Sequence, residues 1–155
     1  MYKDRKVSVS LPEYWGFGTL DLDRPRAQNL DSAEYKRMQA RAEAEGELVE
    51  PDILYRTDEF TELVTEKGRS AAYSDASPPW QPNQCAMEAE AGAFDAMRMS
   101  QWTAEAGSGF CLITDLGNVV RLQITKFVGG DRNIITAPPQ RIEFSATMWR
   151  GSTAQ

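Results

Sequence analysis

Two aspartates that could take part in catalysis or metal binding, Asp21 and Asp23, lie two positions apart in the segment YWGFGTLDLD. Side chains at this spacing on a β-strand point to the same face, and Asp31 and Asp52 are carboxylates that could lie near them. Such oxygens could bind Ca²⁺, and a carboxylate pair could hydrolyse a glycosidic bond without histidine. The spacing is more typical of a solvated strand edge or a turn-capping aspartate. We therefore predict no metal site and retain Asp21 and Asp23 as candidate ligand-binding residues.

The cysteines offer a second kind of chemistry, and the chain has two, Cys85 and Cys111. They do not form a Cys-x-x-Cys motif, and no cluster of lysines is adjacent in sequence to lower the pKa of a thiol. A structural disulfide between a loop or short helix and a β-hairpin is favoured over a redox pair. Such a bridge would stabilise the fold by about 3 kcal/mol in the loop-entropy description. A reduced protein with two buried free cysteines is the alternative.

The chain contains no histidine. The commonest general base, the commonest metal ligand and the Ser-His and Cys-His nucleophile pairs are therefore all absent. No glycine-rich phosphate loop is present, so no cofactor is predicted. The net charge of −6 argues against a nucleic-acid partner, and no apolar run is long enough to span a membrane. These features favour a protein that is not an enzyme.

Aromatic residues beside prolines are the remaining candidates for recognition. Tyr14, Trp15 and Trp80 fall in predicted loops or at strand ends, where they could contact a protein or a sugar ring. Trp102 and Trp149 are expected to pack in the core or over a disulfide, as tryptophans of β domains commonly do.

The elements that must position these residues are mainly short strands with one buried face. The clearest are 110–114, 119–127 and 141–149, which alternate apolar and polar residues and are separated by Gly-containing turns. They predict an antiparallel meander. Further strands are predicted at 6–11, 14–23, 52–56 and 60–65, with a weaker one at 69–73 and a short one at 97–102. The predicted fold class is mainly β, as an antiparallel sandwich or an open barrel.

The clearest helical segment covers residues 31–46, whereas residues 83–97 are ambiguous, with a short helix around 85–91 as one interpretation. Asp31 or Ser32 is a good N-cap, and Gly46 is a good stop. We predict one inserted helix there, within an insertion at 26–50, in a single domain that covers residues 1–155.

The C-terminal half resembles a known module. Cys85, the hairpin GSGFCLITDLG around Cys111, and the strands VVRLQIT and FSATMW together resemble the two-cysteine, mainly-β module of secreted, lipid-anchored and kinase-ectodomain proteins of actinobacteria. The N-terminal VSVSLPEYWGFGTLDLD is similar to the strand pair that often opens such modules. The resemblance covers about residues 7–23 and 80–150. It implies that the two cysteines pair outside the cytoplasm.

The functional expectation combines these observations. We predict a non-catalytic extracellular or cell-surface module that recognises a protein partner or belongs to a larger surface assembly. A carbohydrate-binding module, with a glycan as ligand, is the first alternative. A carboxylate-dependent hydrolase that uses Asp21 and Asp23 is the less favoured second alternative.

Overall fold

The computed structural model describes residues 1–11, 16–46, 51–57, 61–65, 69–73, 79, 81–92, 96–98, 105–131 and 137–151. The helices and strands in these ranges are, in chain order, β1 (Tyr2–Ser10), β2 (Gly16–Asp21), β3 (Arg26–Asp31), α1 (Ser32–Glu45), β4 (Ile53–Thr57), β5 (Thr61–Thr65), β6 (Ser70–Tyr73), α2 (Pro82–Ala91), β7 (Ala96–Arg98), β8 (Gly109–Ile113), β9 (Val119–Val128) and β10 (Arg141–Trp149). The prediction of a mainly β fold is confirmed. Tyr14, Trp15, Trp80 and Trp102 lie outside the described residues.

The strands form two five-stranded sheets in which neighbouring strands are antiparallel. Sheet A has the strand order β1-β10-β9-β8-β6, and sheet B has the order β3-β2-β4-β5-β7. The sheets are not closed into a barrel. The predicted meander is present as the consecutive pairs β8–β9 and β9–β10.

The core lies between the inner faces of the two sheets. Alternate residues of β9 and β10, such as Leu122, Ile124 and Phe144, are almost fully buried there, as the period-two pattern predicts. From sheet B they meet residues such as Leu20 and Tyr55, both also buried. Burying each large apolar side chain contributes about 1.5–3 kcal/mol, so this layer is the main source of stability.

β1 crosses the inner face of sheet B at Gly18. A Cβ atom at position 18 would lie 1.9 Å from the backbone oxygen of Ser10 and 3.1 Å from a methyl group of Val9. Glycine is required here because any side chain would collide with the backbone of β1. This close approach fixes β1 over β2.

α1 lies on the outer face of sheet B. Its N-terminus is a capping box, in which Asp31 accepts a hydrogen bond from the Glu34 backbone while the Glu34 side chain accepts one from the Asp31 backbone. Gly46 ends the helix in the left-handed conformation, with φ of 68°. The helix predicted at 31–46 therefore has the expected ends. The segment before it, within the predicted insertion, forms strand β3, which pairs with β2.

α2 lies on the outer face of sheet A, where Cys85 and Cys111 form a disulfide with a Cα–Cα distance of 5.2 Å. Tyr73, Ala89 and Val119 form a small apolar cluster around the bridge. The predicted structural disulfide is therefore present, and the alternative of two free cysteines is wrong.

Candidate functional site

Three carboxylates meet at one end of the sandwich. Asp21 ends β2, Asp23 lies in the turn from β2 to β3, and Asp52 immediately precedes β4, which pairs with β2. One oxygen from each lies within 4.8 Å of the others. The sequence pattern predicted Asp21 and Asp23 on one strand, but β2 ends at Asp21 and Asp23 lies in the turn that follows. Asp52, one of the two further carboxylates expected near them, belongs to the group. Asp31 is not part of this group, because β3 carries it to the opposite end of β2 and it caps α1.

Asp23 holds the two sheets together through the turn between β8 and β9. Its Oδ1 accepts hydrogen bonds from Thr114 Oγ1 and Asn118 Nδ2, each at 2.8 Å. Its Oδ2 faces the backbone N–H of Leu116 at 3.4 Å. A carboxylate that accepts several hydrogen bonds is well placed to fix a turn. Asp23 therefore has the predicted turn-capping role. The turn that it caps is the β8–β9 turn of sheet A, although Asp23 itself follows β2 of sheet B.

Asp52 is the most buried member, with 8 % of its surface exposed. Its Oδ2 accepts a hydrogen bond of 2.6 Å from the backbone N–H of Leu22. Burial raises the pKa of Asp52 to about 7, and the negative charges of Asp23, Asp115 and Asp21 add to this effect, although the Leu22 hydrogen bond opposes it. Asp52 therefore changes its protonation near neutral pH.

Asp115 is a fourth carboxyl, which the sequence reasoning missed. Its pKa is raised by desolvation and by its hydrogen bond and charge interaction with Asp23. Tyr2 closes the group from β1, because its hydroxyl donates to the Leu22 carbonyl oxygen at 2.8 Å. The pKa of Tyr2 is raised by burial and then by the charge of Asp52. No local pattern links Asp115 to Asp23, since the fold alone brings their turns together.

A small cleft of about 190 Å³ opens beside these carboxylates, between the outer face of sheet B and α1. Thr19, Arg26 and Met38 line it together with Asp21 and Asp115. Ligand pockets usually measure roughly 300–1,000 Å³, so this cleft is small for an organic substrate.

The chemistry open to this acidic cluster is limited by its own hydrogen bonds. Asp21 accepts from the backbone of Arg24, Asp23 from the β8–β9 turn and Asp52 from Leu22. Asp21 and Asp23 lie close together, but Asp21 lines the cleft and Asp23 is not among its lining residues. Their oxygens are however used within the fold, and an acidic cluster alone is not a metal site. The observed role of these hydrogen bonds is to fix the turns that meet at this end of the sandwich.

The tryptophan that the structure describes, Trp149, is half-buried and packs against the apolar cluster around the disulfide, as the sequence predicted. The candidate recognition residues Tyr14, Trp15 and Trp80 remain predictions.

Comparison of the chain with protein-family models, with curated proteins and with solved structures finds no match. Within the described residues, no helix has the length and apolar character needed to cross a membrane. The disulfide fits a protein that lies outside the cytoplasm, because structural disulfides persist in oxidising compartments.

Proposed function

We propose that the protein is a non-catalytic extracellular module that recognises a protein partner, alone or within a surface assembly. The observation that carries this proposal is the placement of α1. This helix has 14 residues and a complete set of caps, yet Ala42 is its one buried residue. Tyr35 anchors it by stacking on Phe17 of β2, with ring centroids 4.5 Å apart. Because α1 buries so little of its surface against the core, most of that surface is available to contact another protein.

The outward side of α1 has a composition that suits a protein surface. At 100° per residue, Arg37 and Arg41 project away from the sheet, and Ala33, Ala40 and Ala44 share this side. All five residues are exposed. Arginine is enriched in protein interfaces, because its planar guanidinium forms paired hydrogen bonds with carboxylates. The favoured partner is therefore a folded protein that presents carboxylates to α1.

The hydrolase alternative is less well supported. A hydrolase needs carboxyl oxygens that reach a substrate, and those of Asp23 accept hydrogen bonds from Thr114 and Asn118. The carbohydrate alternative is supported by a different surface, on the outer face of sheet A.

Site-specific photo-crosslinking tests the proposal. A photo-reactive residue is placed at Ala40 on the outward side of α1 and, as a control, at Met87, which is 71 % exposed on α2. Each protein is irradiated with the surface fraction of the source cells, and the crosslinked partner is identified and purified. We expect crosslinks from position 40 and not from position 87.

The purified partner is then titrated against two variants with the same change in charge. Arg37→Glu/Arg41→Glu should weaken binding by at least about tenfold. Lys6→Glu/Lys126→Glu, on sheet A, should leave the affinity unchanged. Equal crosslinking from both positions, or an unchanged Kd for the α1 variant, would reject α1 as the recognition element.

A further inference from the structure

The outer face of sheet A is covered over one half of its width. α2 and the Cys85–Cys111 bridge cover β6, β8 and the adjoining side of β9. Arg121 marks the boundary: its Nη1 donates to the Pro79 carbonyl oxygen at 3.4 Å, and its Nη2 lies 3.6 Å from Asp4 Oδ1. Past Arg121, no helix or strand of the described chain covers the outer face of β9, β10 and β1.

Two shallow depressions adjoin on this open half, with volumes of about 650 and 640 Å³. They share Asp4 as a lining residue, and we refer to the two together as the sheet A groove. Each is within the size range of ligand sites, roughly 300–1,000 Å³.

Irregular strand pairing shapes the groove from both sides. β1 is bulged between Tyr2 and Arg5, where Asp4 adopts a φ of 48°, a region that side chains other than glycine rarely occupy. β9 is bulged at Thr125, opposite the step from Glu143 to Phe144 in β10. Bulges redirect side chains and are common beside functional sites, as is local backbone strain.

The charge of the groove opposes that of the protein. Lys3, Lys6 and Lys126 line it and are exposed, whereas the whole chain has a net charge of −6. Its two acidic residues already have partners, since Asp4 faces Arg121 and Glu143 pairs with Arg141 at 2.9 Å. The three lysines make no ion pair within the described part of the chain. The groove therefore presents uncompensated positive charge to an anionic ligand.

The position of the groove indicates the class of that ligand. An extended peptide binds most readily at a free sheet edge, where it finds backbone donors and acceptors. The groove borders one such edge, that of β1, but it extends across a face on which the backbones of β9 and β10 are both paired within sheet A. A ligand here must supply its own anionic and hydrogen-bonding groups. Ser8, Thr125 and Ser145 line the groove with hydroxyls that can donate to and accept from such groups.

We propose that the sheet A groove binds an anionic polysaccharide. Its carboxylate or sulfate groups pair with the three lysines, and its hydroxyls bond with the serine and threonine side chains between them. Half-buried Trp149 at one end of the groove offers an apolar surface to a sugar ring. This surface is separate from α1, so the two proposals can fail independently.

Calorimetric titration of the whole chain tests the proposal with heparin, polygalacturonate and neutral dextran as probes. We expect at least one of the two polyanions to bind, and dextran not to bind. Lys6→Glu/Lys126→Glu should weaken that binding by at least about tenfold, and added salt should weaken it further. Arg37→Glu/Arg41→Glu, with the same change in charge, should bind as the parent does. The Lys6→Gln/Lys126→Gln variant gives the same test if the glutamate variant does not fold.

Further probes separate sugar recognition from attraction to any polyanion. Ser145→Ala should weaken polysaccharide binding and leave any binding of poly-L-glutamate unchanged. The proposal is overturned if neither polyanion binds, if the α1 variant loses as much affinity as the groove variant, or if poly-L-glutamate or anionic phosphatidylglycerol vesicles bind as tightly as the polysaccharide.

Discussion

The acidic cluster and the sheet A groove are both dense in charge, but they differ in where their hydrogen bonds go. In the cluster, Asp21, Asp23 and Asp52 each accept a hydrogen bond from the protein, and Asp23 joins the two sheets. In the groove, Lys6 and Lys126 reach solvent without an ion-pair partner in the described part of the chain. Carboxylates that accept hydrogen bonds from the protein hold parts of the fold together, whereas charges left open are available for a ligand. The hydrogen bonds of the acidic cluster therefore support the fold, and the groove lysines are available for recognition.

The largest expected effect tests the structural side of this comparison through Asp52. Because its pKa is raised to about 7, the folded protein binds this proton more tightly than the unfolded chain does. The Asp52 proton therefore adds up to about 4 kcal/mol to the free energy of unfolding. This stabilisation is fully present below about pH 4 and is lost as the pH rises through about 7. Asp52→Asn should remove this pH dependence. Urea unfolding of both proteins across that range measures it, and parallel pH profiles would contradict the prediction.

The second largest effect on stability is expected from the Cys85–Cys111 disulfide, on the half of the sheet A face that α2 covers and the groove does not reach. Cys85→Ser/Cys111→Ser should lower the free energy of unfolding by about 3 kcal/mol, because the bridge no longer restricts the unfolded chain. Denaturant unfolding checks this. Reduction of the parent should reproduce the loss, and a reductant should have no effect on the variant. A variant as stable as the oxidised parent would show that the bridge is dispensable.

The third effect isolates the turn contact. Asp23→Ala removes the acceptor of Thr114 and Asn118 and should cost about 2 kcal/mol. Thermal unfolding compares it with Glu43→Ala on the exposed surface of α1, which should change stability by less than about 0.5 kcal/mol. If the two variants melt together, Asp23 does not tie the sheets and the cluster loses its structural role.

The smallest expected effect on stability is that of the groove lysines. Lys6→Glu/Lys126→Glu should change the free energy of unfolding by less than about 0.5 kcal/mol, because both side chains are exposed. The same urea unfolding measurement applies. A loss comparable to that of Asp23→Ala would mean that the groove lysines also support the fold, and the division between the two regions would not hold.

Regular alternation made much of the fold predictable. The strand Arg141–Trp149 was predicted with its observed bounds, since every second residue from Ile142 onward is apolar. α1 was predictable from its caps, Asp31 and Gly46. Strand β3 was not, because RAQNLD has no apolar face and is an edge strand that the fold, and not its own pattern, makes extended.

The candidate sites were less predictable because they depend on contacts between distant segments. Asp21 and Asp23 were found from their spacing alone. Asp115 was not, since it joins them through the packing of two turns from different sheets. The groove depends on the bulges at Asp4 and Thr125, and a bulge inserts one residue without leaving a signal in the hydrophobic pattern.

The pairing of β1 with β10 has a consequence for the order of folding. Tyr2 lies opposite Met148, so sheet A cannot gain its first strand until its last strand exists. Contacts between residues so far apart in sequence form slowly, whereas the three strands of the β8–β10 meander are consecutive in the sequence and need only local contacts. We expect the meander to be protected early and β1 to join last, which pulse-labelling hydrogen exchange during refolding would resolve. The lysines that β1 contributes would then reach their positions in the groove only when folding is complete.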